Sequence, residues 1–152
     1  MSWLTILCLG IVVSCGGVKA VSKEEIHMIE EVMHMHFHEC NKQYGVSDDD
    51  LKAVKEQKNI NLLDPCLIGC VFKKANLISD NGIFTEKKLI EDVKKYLMNE
   101  EDQTKAIEVI NKCLSVNDAE VSDGDQGCER AKLLMICFVK NKNHLIPPSP
   151  SA

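Results

Sequence analysis

Asp64-Pro65-Cys66-Leu67-Ile68-Gly69-Cys70-Val71 reads as the first two turns of a helix that carries two cysteines on one face. The Asp64 carboxylate suits the capping position, and Pro65 falls at the first helical position, where a missing amide hydrogen costs nothing. Cys66 and Cys70 lie one turn apart, so each faces a neighbouring helix rather than the other. Leu67, Val71 and Leu77 add apolar content to the same element. Its covalent partners must come from elsewhere in the chain.

Six of the eight cysteines stand at positions 40, 66, 70, 113, 128 and 137, with gaps of 25, 3, 42, 14 and 8 residues. The other two, Cys8 and Cys15, lie in an apolar run from Met1 to Val13 and the small residues that lead to Val18-Lys19-Ala20. That shape reads as a secretory signal peptide, residues 1–20, cleaved after Ala20. Its apolar part, about a dozen residues, falls short of the roughly 20 that a membrane helix needs. The expected mature chain is a single secreted, extracellular domain over residues 21–152. In that compartment an even set of half-cystines implies a disulfide framework. Six cysteines allow fifteen pairings, and spacing alone does not choose among them. Cys128 and Cys137, nine residues apart on one predicted helix, point to opposite sides of it.

Every sizeable apolar pattern has helical period, which predicts an all-α domain of six helices. The first covers 22–40, with Ser22 and Glu25 as a capping box and Ile26, Ile29, Met33, Phe37 and Cys40 facing inward. Asp48-Asp49-Asp50 opens a short second helix over 48–57, the carboxylates suiting its positive end. After the third comes a turn at Asn81-Gly82, then a fourth helix capped by Thr85 and bearing Leu89, Ile90, Val93, Tyr96 and Leu97. Asp102 is read as the cap of a fifth, with Ala106, Ile107, Ile110, Cys113 and Leu114. An acidic loop over 116–127 leads to a sixth helix over 128–142, whose centre Leu133-Leu134-Met135-Ile136-Cys137-Phe138-Val139 is apolar nearly all round. Such a helix belongs in the middle of the molecule. Pro147, Pro148 and Pro150 stop the tail from continuing as helix.

Without residues 1–20 the chain carries 17 Lys plus Arg against 23 Asp plus Glu, a net charge of −6. An acidic chain with no basic stripe is a poor nucleic-acid binder, and no nucleic-acid partner is expected. Signatures of hydrolases, zinc proteases, phosphate-binding loops and dithiol redox sites are all absent, so neither an enzyme nor a cofactor is expected. The acidic loop with Asp118, Glu120, Asp123 and Asp125 fails the EF-hand positions and reads as solvated.

The order long gap, Cys-x3-Cys, very long gap, Cys-x8-Cys resembles the insect odorant-binding proteins, including the pheromone-binding and general odorant-binding groups. That resemblance implies the pairs Cys40–Cys70, Cys66–Cys128 and Cys113–Cys137, and an apolar cavity enclosed by the six helices. It also implies a soluble carrier that binds small hydrophobic molecules (odorants, pheromones or lipid-like ligands) reversibly. A membrane receptor is a further implied partner, and the protein would act as a monomer or homodimer. Candidate lining residues are Met33, Phe37, Val71, Phe72, Leu89 and Val93, together with Ile110, Leu114, Leu134 and Phe138; Tyr96 is the polar selector. Pocket wall and ordinary core share one periodicity, so these positions are candidates for both. The rival class is a secreted helical disulfide module with a solid core that acts through protein–protein contacts.

Four of the five histidines lie in the first helix. His27, Glu31, His34 and His38 fall on one face, read as lying opposite the apolar stripe, with His36 at the stripe's edge. His34 and His38 form an i,i+4 pair with metal-chelating spacing, although a solvated polar face is the favoured reading and no metal is expected. A partly buried His36 gaining charge between about pH 7 and 5 would weaken ligand binding in acid.

Overall fold

The computed structural model describes residues 23–57 and 59–142. Within them the chain is all-α, with helices α1 (Lys23–Tyr44), α2 (Asp48–Gln57), α3 (Pro65–Lys74), α4 (Glu86–Tyr96), α5 (Glu100–Cys113) and α6 (Cys128–Lys140). Residues 1–22, including the expected signal peptide and Ser22, and the tail from 143 lie outside the described residues. Among the described residues no helix is long and apolar enough to cross a membrane.

Three disulfides join Cys40 to Cys70, Cys66 to Cys128 and Cys113 to Cys137, with Cα separations of 5.9, 4.3 and 5.9 Å. They tie α1 to α3, α3 to α6, and α5 to α6. α3 is the hub, packed against α1 on one side and α6 on the other. Gly69 lets α6 approach: a Cβ there would lie 3.4 Å from the Cys128 Cα and 3.5 Å from the Gly127 carbonyl. The core around this hub includes Leu67, Phe72, Phe84, Ile110, Cys113 and Leu134, all at most 2% exposed. Phe138 packs edge-on to both Phe72 and Phe84, with ring centroids 6.5 and 6.1 Å away.

Helix ends follow local chemistry. Asp64 accepts from the Cys66 amide at 2.7 Å, as its position in the sequence predicts. Ser47 and Asp50 cap α2 reciprocally: the Ser47 Oγ accepts from the Asp50 amide and the Asp50 carboxylate from the Ser47 amide. α1 runs past Cys40 to Tyr44, and beyond it the Asn41 amide both donates to and accepts from the Val46 backbone. α3 ends at Lys74, ahead of Leu77, because Asn76 turns left-handed with φ 57°. The cap of α5 is Asn99 and not Asp102; the Asn99 Oδ1 accepts from the amides of Glu101 and Asp102, which puts Asp102 inside the first turn, buried. An acidic triplet suits any first-turn position, so charge alone misplaces the boundary.

The acidic loop is structural as well as solvated. The Asp123 Oδ2 accepts from the amides of Cys128 and Glu129 at 2.6 and 3.1 Å, capping α6 from a distance while Gly127 takes the left-handed turn. Gly127 also abuts the turn at Gly82: a Cβ on Gly82 would come within 2.7 Å of the Gly124 carbonyl. That turn is closed by an isolated antiparallel bridge between Ile78 and Phe84. The Asn117 side chain completes both backbone groups of Phe84, at 2.9 and 3.0 Å.

α6 is central through its first half only. Cys128, Arg130, Ala131 and Leu134 are buried, whereas the apolar run beyond them is largely half-buried and Val139 is exposed. Arg130 is 6% exposed, and its guanidinium donates to the Val116 carbonyl and, at 3.5 Å, to that of Ala119. These carbonyls end the 3-10 turn Leu114–Asp118, where a positive charge complements the negative helix end. Replacing Arg130→Ala is expected to lower unfolding free energy by about 2–3 kcal/mol, the cost of leaving buried acceptors without a charged donor. Urea unfolding with an unchanged slope would register the loss as a lower midpoint.

Candidate functional site

The described residues form a concavity of about 760 Å³, open to solvent on one side and bounded by α1, α2, α3 and one residue of α6. Its floor is one flank of the α3 hub: Leu67, Ile68, Val71 and Phe72, each less than a tenth exposed. Met33, Met35 and Phe37 of α1 form one wall, Leu51 of α2 and Leu63 the other, and Met135 closes the end. The volume falls in the ~300–1,000 Å³ range of small-molecule sites.

The void exists because α1 docks on α3 mainly through its C-terminal part. Cys40, disulfide-bonded to Cys70, is buried, and the Lys74 ammonium sits 2.9 Å from the Glu39 carboxylate. That hydrogen bond holds the Glu39 carboxyl below its ordinary range. Toward its N-terminus α1 leaves the hub, and most of residues 27–36 are exposed. The apolar faces of α1 and α3 therefore diverge and leave space between them.

Of the residues the sequence singles out as lining, Met33, Phe37, Val71 and Phe72 meet at this concavity. The other seven do not line it. Val93, Ile110 and Leu134 are buried core, and Leu89, Leu114 and Phe138 pack half-buried against that core. Tyr96 is half-buried at the end of α4 with the Lys95 ammonium 4.8 Å over its ring. The concavity lies toward the α1, α2 and α3 side of the domain and is open to solvent. Lining residues that periodicity did not pick out are Met35, Leu51, Leu63, Leu67, Ile68 and Met135. For Leu67 and Ile68 a signal was present: they lie between Cys66 and Cys70, on a helix that must face partners on two sides.

The polar face of α1 is also relocated. His27, Glu30, Glu31 and His34 border the concavity, across from Lys55 of α2. They lie beside the apolar stripe and not opposite it: Glu30 stands three residues before Met33 and His34 three before Phe37, offsets that leave each about 60° around the helix from a wall residue. His27 Nδ1 stands 3.6 Å from Glu31 Oε1. His38 is exposed and away from the lining, and half-buried His36 lies near Glu39 rather than at the concavity. Among the described residues no group of three or more His, Cys, Asp or Glu side chains is arranged to hold a metal ion.

Six helices, three disulfides in this pairing and an apolar-floored opening define a class: small, disulfide-braced, all-α domains of the insect odorant-binding kind. Residues 22–141 match the family model of the PBP/GOBP family, and the chain belongs to that family, the insect pheromone- and general odorant-binding proteins. Proteins of this family are carriers and not enzymes. The fold is similar to that of a solved structure, odorant-binding protein dmelOBP28a from Drosophila melanogaster, with 24% identity, a TM-score of 0.56, and coverage of 79% of this chain and 97% of that one. At that identity the likeness concerns the fold. No curated protein matches the sequence.

Proposed function

We propose that this protein is a secreted carrier that binds small hydrophobic molecules reversibly in the concavity between α1, α2 and α3. The observation that carries the reading is the floor of Leu67, Ile68, Val71 and Phe72, an apolar surface at the base of a concavity open to solvent. Family membership supports the same reading, and the N-terminal segment and the disulfides suit secretion.

Affinity follows from area. Burying a chain of ten to twelve methylenes contributes roughly 8–10 kcal/mol. Association costs at least ~4 kcal/mol of lost freedom. The roughly 4–6 kcal/mol that remains corresponds to a dissociation constant of tens of micromolar or weaker, which permits both loading and release. No reacting group is needed.

Displacement of a neutral, environment-sensitive fluorescent probe by alkyl alcohols tests the proposal. Saturable displacement by decanol is expected, and none at all would favour a solid-core interaction module. Met33→Trp puts a larger side chain on the α1 wall and is expected to weaken decanol binding about tenfold, near the ~1–3 kcal/mol that pocket shape controls. Leu114→Trp, outside the lining, should leave decanol affinity unchanged.

A further inference from the structure

Resting on the carrier reading, we infer that the preferred guests are amphiphiles with a protonated amine head, whose tails lie on the α3 floor and whose heads meet the Glu30–Glu31 end of α1. Apart from His27, Glu30, Glu31, His34 and Lys55, every described residue that lines the concavity is apolar. A polar group on a guest seated against this lining meets those five side chains or stays in water at the open side; elsewhere on the lining it would go without a partner, which costs free energy. Head-group chemistry is decided there.

The five are not balanced. Carboxylates only accept hydrogen bonds, and a neutral imidazole offers one acceptor nitrogen, so four of the five can receive a bond from an ammonium. Lys55 alone is an obligate donor, and it stands on the other wall. With histidine counted as neutral, the border carries two negative charges against one positive. The glutamates are also available. Glu31 faces only His27, at 3.6 Å with both side chains about two-thirds exposed, and Glu30 forms no ion pair with a described residue. A carboxylate head would meet one ammonium and two repelling carboxylates; an alcohol would meet neither gain nor penalty of charge.

Three guests of equal tail length test the inference: decylammonium, decanol and decanoate, each below its micelle concentration, displacing the same neutral probe from the full disulfide-bonded protein at a pH well above ~6.5, where imidazole is uncharged. Exposed ion pairs set the scale of the effect. Decylammonium is expected to bind roughly threefold more tightly than decanol, with decanoate weakest and about tenfold below decylammonium. Raising salt should compress the differences. In Glu30→Gln, Glu31→Gln, a pair of isosteric changes at exposed helix positions, the ammonium advantage should vanish while decanol affinity stays. Lys55→Ala should leave the ammonium advantage in place and weaken decanoate further. Decanoate binding tightest, or an ammonium advantage that survives in the double variant and so reflects only the chain's net charge, overturns the inference while the carrier reading stands. Failure of all three guests to displace the probe removes the carrier reading itself, and this inference with it.

Discussion

Replacing Cys66 and Cys128 together by alanine is expected to lower the unfolding free energy by about 4 kcal/mol, the largest loss among the three bridges. The bridge closes a loop with a sequence separation of 62, against 30 for Cys40–Cys70 and 24 for Cys113–Cys137. Chain-entropy scaling then ranks the three at roughly 4.3, 3.6 and 3.4 kcal/mol in that order. The structure supplies a second reason. Cys66–Cys128 fixes the hub helix to α6 with 4.3 Å between Cα atoms, beside the close contact that Gly69 allows. Against a typical domain stability of ~5–15 kcal/mol the loss is large. It corresponds to a fall in melting temperature of roughly 10–20 °C for a chain of this size. Thermal unfolding of the three double-alanine variants measures the ranking, and a Cys113–Cys137 deletion that costs more than the Cys66–Cys128 one would contradict it.

Phe84→Ala and Phe72→Ala should each cost about 3–5 kcal/mol, the range for truncating a buried phenylalanine. Both rings are at most 2% exposed, and both lie edge-on to Phe138. Their functional consequences separate. Phe72 is part of the concavity's floor, and its loss removes apolar surface from under the guest, so decanol affinity should fall with stability. Phe84 lies outside the lining, pinned by Asn117, and its loss should leave the affinity of the folded protein unchanged. Binding isotherms taken well below each variant's melting temperature distinguish the two. Equal loss of affinity in both variants would mean that the guest occupies the packed centre rather than the open side.

Much of this architecture is legible in residue spacing. Asp64-Pro65 marks the start of the hub helix, and the capping geometry follows directly from those two residues. The cysteine spacing carries the family resemblance, and through it the pairing found in the structure. Local signals mislead where several residues suit one role. Asp102 looks as good a cap as Asn99, and only the backbone path decides between them. Asp123 reads as a solvated acid because its targets, the amides of Cys128 and Glu129, become neighbours only after the loop closes over Gly127.

The proposed binding surface marks the boundary between the two kinds of knowledge. Sequence alone determined that this is a six-helix chain with apolar stripes and half-cystines set to join them, because helical period and cysteine spacing act within one element or through a covalent bond. Tertiary structure alone decided where the space is. A stripe such as Met33–Phe37 and one such as Ile110–Leu114 look the same in sequence, and both are apolar for the same reason. Whether a stripe meets a partner or faces a gap depends on the distance and angle between helices far apart in the chain. Here α1 is held at the hub near its C-terminus and diverges from it toward the other end, so four of the predicted lining residues border the opening and seven lie elsewhere in the domain, buried or half-buried.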